Sequence, residues 1–132
     1  NSVANLRKQG WMVRWMYKNP VMLDITRPAS ASADLTSSQK DLEKLSKNII
    51  WLNVSGNQLA DKDLAFLSQL SNLEKLRLEK NPVTDAICDQ LKLLPHLEAV
   101  NLNETKVSAS GVASLRKNPS IKHIYNWNPQ TK

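Results

Sequence analysis

This chain is poor in the residues that usually announce special chemistry. It has one cysteine (Cys88), three glycines, a single phenylalanine and aromatics at only 5%. One Cys excludes an internal disulfide, and Cys88 with two scattered histidines is too little for a structural zinc site. Three glycines leave little material for a phosphate-cradling loop, and the patterns G-x-x-x-x-G-K, G-x-S-x-G and H-E-x-x-H are absent. No apolar run approaches the roughly 18 residues that span a bilayer. The start, Asn1-Ser2-Val3, carries neither an initiator Met nor an apolar signal segment, so the expectation is a piece of a longer protein.

What is present is the material for one ordinary core. The chain has 132 residues, 41% hydrophobic and 23% charged, the size and balance of a single folded domain rather than a disordered tail. A formal net charge of +6 would by itself raise nucleic acid as a partner. The excess is local, however. Residues 1–33 hold Arg7, Lys8, Arg14, Lys18 and Arg27 against Asp24, a net of +4. Residues 34–48 balance, and the ten bases and eight acids of residues 49–132 leave +2. The body is close to neutral, which argues against a nucleic-acid groove along it.

Self-comparison reveals a spacing of 24 residues. Ile49-x-x-Leu52-x-Val54-x-x-Asn57-x-Leu59 recurs as Leu73-x-x-Leu76-x-Leu78-x-x-Asn81-x-Val83 and as Leu97-x-x-Val100-x-Leu102-x-x-Thr105-x-Val107. All twelve apolar slots are filled, which chance would achieve in a given register only about once in 40,000 trials, so the period is structural. Ile121-x-x-Ile124 starts a fourth unit that degrades at Asn126 and Pro129 and reads as a terminal strand. After each strand a helical stretch follows: Leu64, Leu67 and Leu70, then Cys88, Leu91 and Leu94, then Val112 and Leu115. Asp61 and Asp85 suit N-terminal capping positions, and Pro95 and Pro119 stop the helices.

The pattern resembles the leucine-rich repeat family, L-x-x-L-x-L-x-x-N-x-L, over residues 49–128. The resemblance implies an α/β fold: a short right-handed solenoid with a parallel sheet on its concave face and helices on the convex face. Stacking is what buries a sheet that no single repeat could stabilise. The inward Asn at the ninth slot is expected to bond the tight turn and the next coil. Thr105 replaces it in the third repeat, and a hydroxyl is a shorter bridge, so that coil is expected to be looser.

An open stack needs its ends covered. Residues 1–48 are expected to form an N-terminal cap, and residues 49–132 the repeats with their terminal strand. Residues 20–48 read as a degenerate first repeat, with Leu23 and Ile25 in strand slots and Leu42 and Leu45 on the helix. A long Ala- and Ser-rich loop from Thr26 to Thr36 joins them. Residues 3–18 combine Val3, Leu6, Met12, Trp15 and Met16 with four bases and no acid. This predicts a basic amphipathic helix, weakened at Gly10, whose Trp and Met fill the cap core while Arg and Lys face water. The competing use of such a segment is contact with an anionic membrane surface or nucleic acid.

Side chains alternating with the buried slots would point out of the concave sheet in three columns. These are Trp51, Lys75, Ala99, His123; Asn53, Arg77, Asn101, Tyr125; and Ser55, Glu79, Asn103, Trp127. Four strands give a patch only some 14 to 20 Å wide, room for a peptide or a small domain edge. The candidate binding residues are Trp51, Asn53, Lys75, Arg77, Glu79, Asn101, Asn103, His123, Tyr125 and Trp127. Trp51, Tyr125 and Trp127 are interface-type anchors, with the two tryptophans at opposite ends of the sheet. Arg77 is a fork donor, and the Asn residues are adaptable hydrogen-bonding groups. The plain alternative is a solvated face with no ligand. Cys88 aligns with Leu64 and Val112 and reads as a buried filler. His96 has no partner at useful spacing, and Asn53-Val54-Ser55 and Asn103-Glu104-Thr105 match the glycosylation acceptor pattern, which is common by chance.

The ending Ile124-Tyr125-Asn126-Trp127-Asn128-Pro129-Gln130-Thr131-Lys132 is similar to the LYLWQTKV ending of C-terminal leucine-rich repeats in multidomain, membrane-anchored c-type cytochrome proteins of Bacteroidetes and Planctomycetes. Val112 to Lys132 and the basic Trp/Met segment support the comparison, while Asn128-Pro129 is an insertion relative to it. The resemblance implies an extracytoplasmic (periplasmic or cell-envelope) domain of a larger protein, with haem held upstream; C-x-x-C-H is absent here, so no cofactor is expected in this chain. A cytoplasmic location is the alternative.

The leading expectation is a non-catalytic module binding a protein or peptide on the concave sheet, with no small-molecule substrate. The alternative is a structural or docking domain of an envelope electron-transfer protein, close to a membrane through its basic N-terminus or its parent protein. Arg77→Glu is expected to abolish partner binding while leaving stability within about 0.5 kcal/mol.

Overall fold

The twelve apolar repeat slots, Ile49 to Val107, are all buried, none more than 2% exposed. In the computed structural model, which describes residues 1–32 and 34–128, they share one core beneath a six-stranded sheet, with Ile49, Leu52, Leu76 and Val100 in its strands. In chain order the elements are α1 (Ser2–Lys8), β1 (Met12–Lys18), β2 (Val21–Thr26), α2 (Thr36–Lys44), β3 (Ile49–Asn53), a 3₁₀ segment (Asp61–Gln69), β4 (Lys75–Arg77), α3 (Asp85–Leu91), β5 (Ala99–Asn101), α4 (Ala109–Leu115) and β6 (His123–Tyr125). The structure is mixed α/β, with sheet order β1-β2-β3-β4-β5-β6. β1 and β2 are antiparallel, and every later pairing is parallel. From β3 onward the register steps by one sequence period, Leu52↔Leu76↔Val100↔Ile124. The helices cover the inner face, and one apolar cluster runs from Leu6 to Leu115. Leu64, Leu67 and Leu70 are all buried along the 3₁₀ segment and its C-cap, the helical path being broken at Leu64 (φ −117°, ψ 21°). Among the described residues no helix is long and apolar enough to cross a membrane.

The helix expected over residues 3–18 is two elements instead. α1 ends at Lys8, the chain turns through Gly10 at φ +94°, and residues 12–18 form a strand. Trp11 is 3% exposed, Met12 63% and Val13 8%, a period of two. In a helix Trp11 and Val13 would point some 200° apart, whereas a strand puts both on the core side. The buried anchors here are therefore Leu6, Trp11 and Val13, while Met12 and Trp15 are exposed. Trp11 Nε1 donates to Ser38 Oγ at 2.8 Å on α2, and Ser38 in turn donates to Gln9. β2 buries Leu23 and Ile25, and α2 buries Leu42, with Leu45 half-buried at its end. In the loop that follows β2, Arg27 donates to the carbonyls of Ser32 and Asp34 at 3.0 and 3.2 Å. The two N–H and O–H groups of Thr36 hold the exposed Asp34 carboxyl below its usual range.

Polar rungs tie one turn to another. Asn81 Oδ1 receives the N–H of Asn57 and of Leu59 at 2.9 and 3.0 Å, and Asn81 Nδ2 donates to Val54 O and Leu78 O. The inward Asn thus reaches back to the preceding turn, not forward as expected. Asn57 does the same toward Arg27 O. Thr105 spends its hydroxyl on Leu102 O within its own turn, and among the described residues no bond joins it to Asn81. Its own N–H is received by Asn128 Oδ1 at 2.7 Å. At the left-handed positions Gly56, Lys80 and Glu104, each N–H donates across to the following turn.

The aspartates act differently from expectation as well. Thr84 and Ser108 are the N-caps of α3 and α4. Asp61 accepts from Thr84 N–H and Oγ1, and Asp85 from Ser108 N–H and Oγ, with the shorter contacts 2.6 Å. Each carboxylate therefore holds the cap of the next helix rather than capping its own.

Candidate binding site

Because strands pair in register, outward residues line up in rows across the face opposite the helices. One row reads Arg14, Asp24, Trp51, Lys75, Ala99, His123, and the next Met12, Thr26, Asn53, Arg77, Asn101, Tyr125. Six strands, not four, give the face a width of about 24 Å. Trp51 consequently sits inside the sheet, between Asp24 and Lys75, rather than at its end.

The middle of this face is a shallow hollow of about 390 Å³. It runs from Asp24 and Thr26 on β2 to Tyr125 on β6. Leu52, Leu76 and Val100 turn their side chains into the core, so their backbone forms its floor. Of the residues expected from the sequence, Trp51, Asn53, Lys75, Arg77, Asn101 and Tyr125 line it; Glu79, Asn103, His123 and Trp127 do not. Asp24 and Thr26 were not among the expected site residues. The signal for them is the alternation of Leu23 and Ile25, which places Asp24 and Thr26 on the opposite face.

Each polar side chain here has a specific state. Lys75 Nζ stands 4.3 Å from the centre of the Trp51 ring. The Trp51 Nε1–H is buried and has no acceptor among the described residues. Arg77 is not a free fork donor: Nε and Nη2 both donate to Glu79 Oε2, the former at 3.0 Å. Glu79, expected on the outer face, is only 8% exposed, receives a further bond from Asn101 Nδ2 at 3.4 Å, and leaves Oε1 unpartnered. Arg77→Glu would set a carboxylate beside this buried one, which overturns the expectation of unchanged stability. Asn53 and Asn101 accept from the N–H groups of Ser55 and Asn103 at 3.0 and 2.9 Å, and Asn103 Oδ1 accepts from Trp127 N–H at 2.7 Å. Tyr125 and Trp127 are about half-exposed.

Elsewhere, His96 lines a second hollow of about 320 Å³ with Tyr17, Met22, Ile50 and Glu74 at the other end of the strands. Cys88 is in the core, and burial, reinforced by Asp85, Asp89 and Asp61, pushes its thiol up to about 11. Among the described residues no group of three or more His, Cys, Asp or Glu is placed to hold a metal ion. The segment Pro129-Gln130-Thr131-Lys132, part of the ending compared above with cytochrome-linked repeats, lies outside the described residues. A scan against protein-family models finds no match, and a search of curated proteins finds none.

Proposed function

We propose that the chain is a short leucine-rich repeat solenoid that works as a non-catalytic interaction module, holding an extended peptide segment of a partner protein across the open face of its sheet. One observation carries this reading: strands in register bring Trp51, Asn53, Lys75, Arg77, Asn101 and Tyr125 around a single hollow. Aromatic and guanidinium groups are the residue types that dominate binding energy at protein interfaces. The 24-residue register and the Asn rungs support the solenoid.

The test is selection of a random heptapeptide library, displayed on phage, against the full chain. Enriched peptides are expected to bind the wild type and to lose at least about ten-fold in affinity for Ala99→Trp, which fills the hollow from β5. Peptides that bind Ala99→Trp as well as wild type, or no enrichment at all, would sink the reading.

A further inference from the structure

Charge around the hollow is distributed unevenly. Arg14 is paired with Asp24 at 2.7 Å, and Arg77 with Glu79. Lys75 has no carboxylate within ion-pair distance among the described residues. Its ammonium is instead held over the Trp51 ring, a contact that fixes the position of the charge without neutralising it. Beside it, the Trp51 Nε1–H is a buried donor with no acceptor. The register neighbour of Lys75 on β5 is Ala99, whose methyl leaves room on that side.

Resting on the peptide-binding reading above, we infer that the partner segment presents an Asp or Glu side chain to Lys75 beside Trp51, with the rest of the segment crossing toward Tyr125. A charged donor with open valence asks for an anionic oxygen acceptor, and a carboxylate supplies it. From β3 to β6 is about 14 Å, the length of about four extended residues, so the space suits a stretch of chain rather than a small anion. Charge-assisted pairing in a partly enclosed hollow sets where along the segment the acid must stand.

The peptides selected as above provide the test. They are expected to share one acidic position; changing that residue to its amide weakens binding to wild type by about ten-fold or more, but by less than about two-fold in Lys75→Gln. Lys75→Met, which keeps the aliphatic stem over the indole, gives the same result. Titration with the acidic peptide shifts the Trp51 indole N–H resonance. Peptides that are lost on Ala99→Trp but share no acidic position, or whose acid-to-amide change costs as much in Lys75→Gln as in wild type, would overturn the carboxylate pairing and leave the peptide-binding reading standing. Peptides indifferent to Ala99→Trp, or no enrichment, would overturn both.

Discussion

Between β3 and β6 the strands are joined by repetition: the same register step and the same aspartate under the next helix cap recur at one period, and inward rungs from Asn81 and Asn128 tie back to the preceding turn. Residues 1–48 share the sheet and the core, and Asn57 reaches back to Arg27 O, but the register step and the aspartate under the helix cap do not extend to them. There the joints are single-use. An indole is tied to a serine across α2, an Asn5 amide to Asp41 at 3.3 Å, and an antiparallel strand to β2. The contrast teaches how a stack can end. A repeat is designed by what lies on both sides of it, whereas the terminal unit has one neighbour and must close the other side by bespoke contacts.

The largest expected effect tests whether that end is one with the body. Trp11→Ala removes a buried indole and its bond to Ser38, and should cost about 4 kcal/mol in urea unfolding, with the single transition moving as a whole. Two separated transitions, the later one at the wild-type midpoint, would show the first 48 residues folding apart from the repeats. Next is a repeat-specific contact. Asn81→Ala strands the buried N–H groups of Asn57 and Leu59 and should cost about 3 kcal/mol; a loss below about 1 kcal/mol would mean the rungs are ornamental. The smallest effect runs the other way. Thr105→Asn should restore the missing rung to Asn81, adding about 1 kcal/mol and slowing amide exchange at Asn81. Unchanged exchange there would assign the gap to backbone spacing instead of side-chain length.

The repeat was legible because each apolar slot obeys both a short period within the strand and a long one between strands, and each of Ile49 to Val107 in those slots is buried. Six of the residues lining the hollow followed from the same alternation. The departures from the expected pattern come from contacts that the alternation alone does not encode. Val3, Leu6, Met12, Trp15 and Met16 suggest a helical phase, yet residues 12–18 pair with β2 as a strand that buries Val13. Counting on from Arg77 points Glu79 outward, but β4 ends at Arg77, and beyond it the carboxylate folds under the guanidinium. Asp61 and Asp85 stand at the right places to cap, and only the neighbouring turn shows whose cap they hold.

The Arg7 side chain, on α1, donates to the Val13 carbonyl on β1 at 2.7 Å. β1 is the outermost strand at that end of the sheet, so this carbonyl belongs to a margin that another molecule's strand could otherwise extend. Arg7 works there as a latch: an incoming strand must first displace a charged donor to gain its first ladder bond, and it would arrive beside a positive charge. One of the cations behind the chain's basic character thus acts on colloidal behaviour, keeping an exposed sheet margin from becoming a template for aggregation.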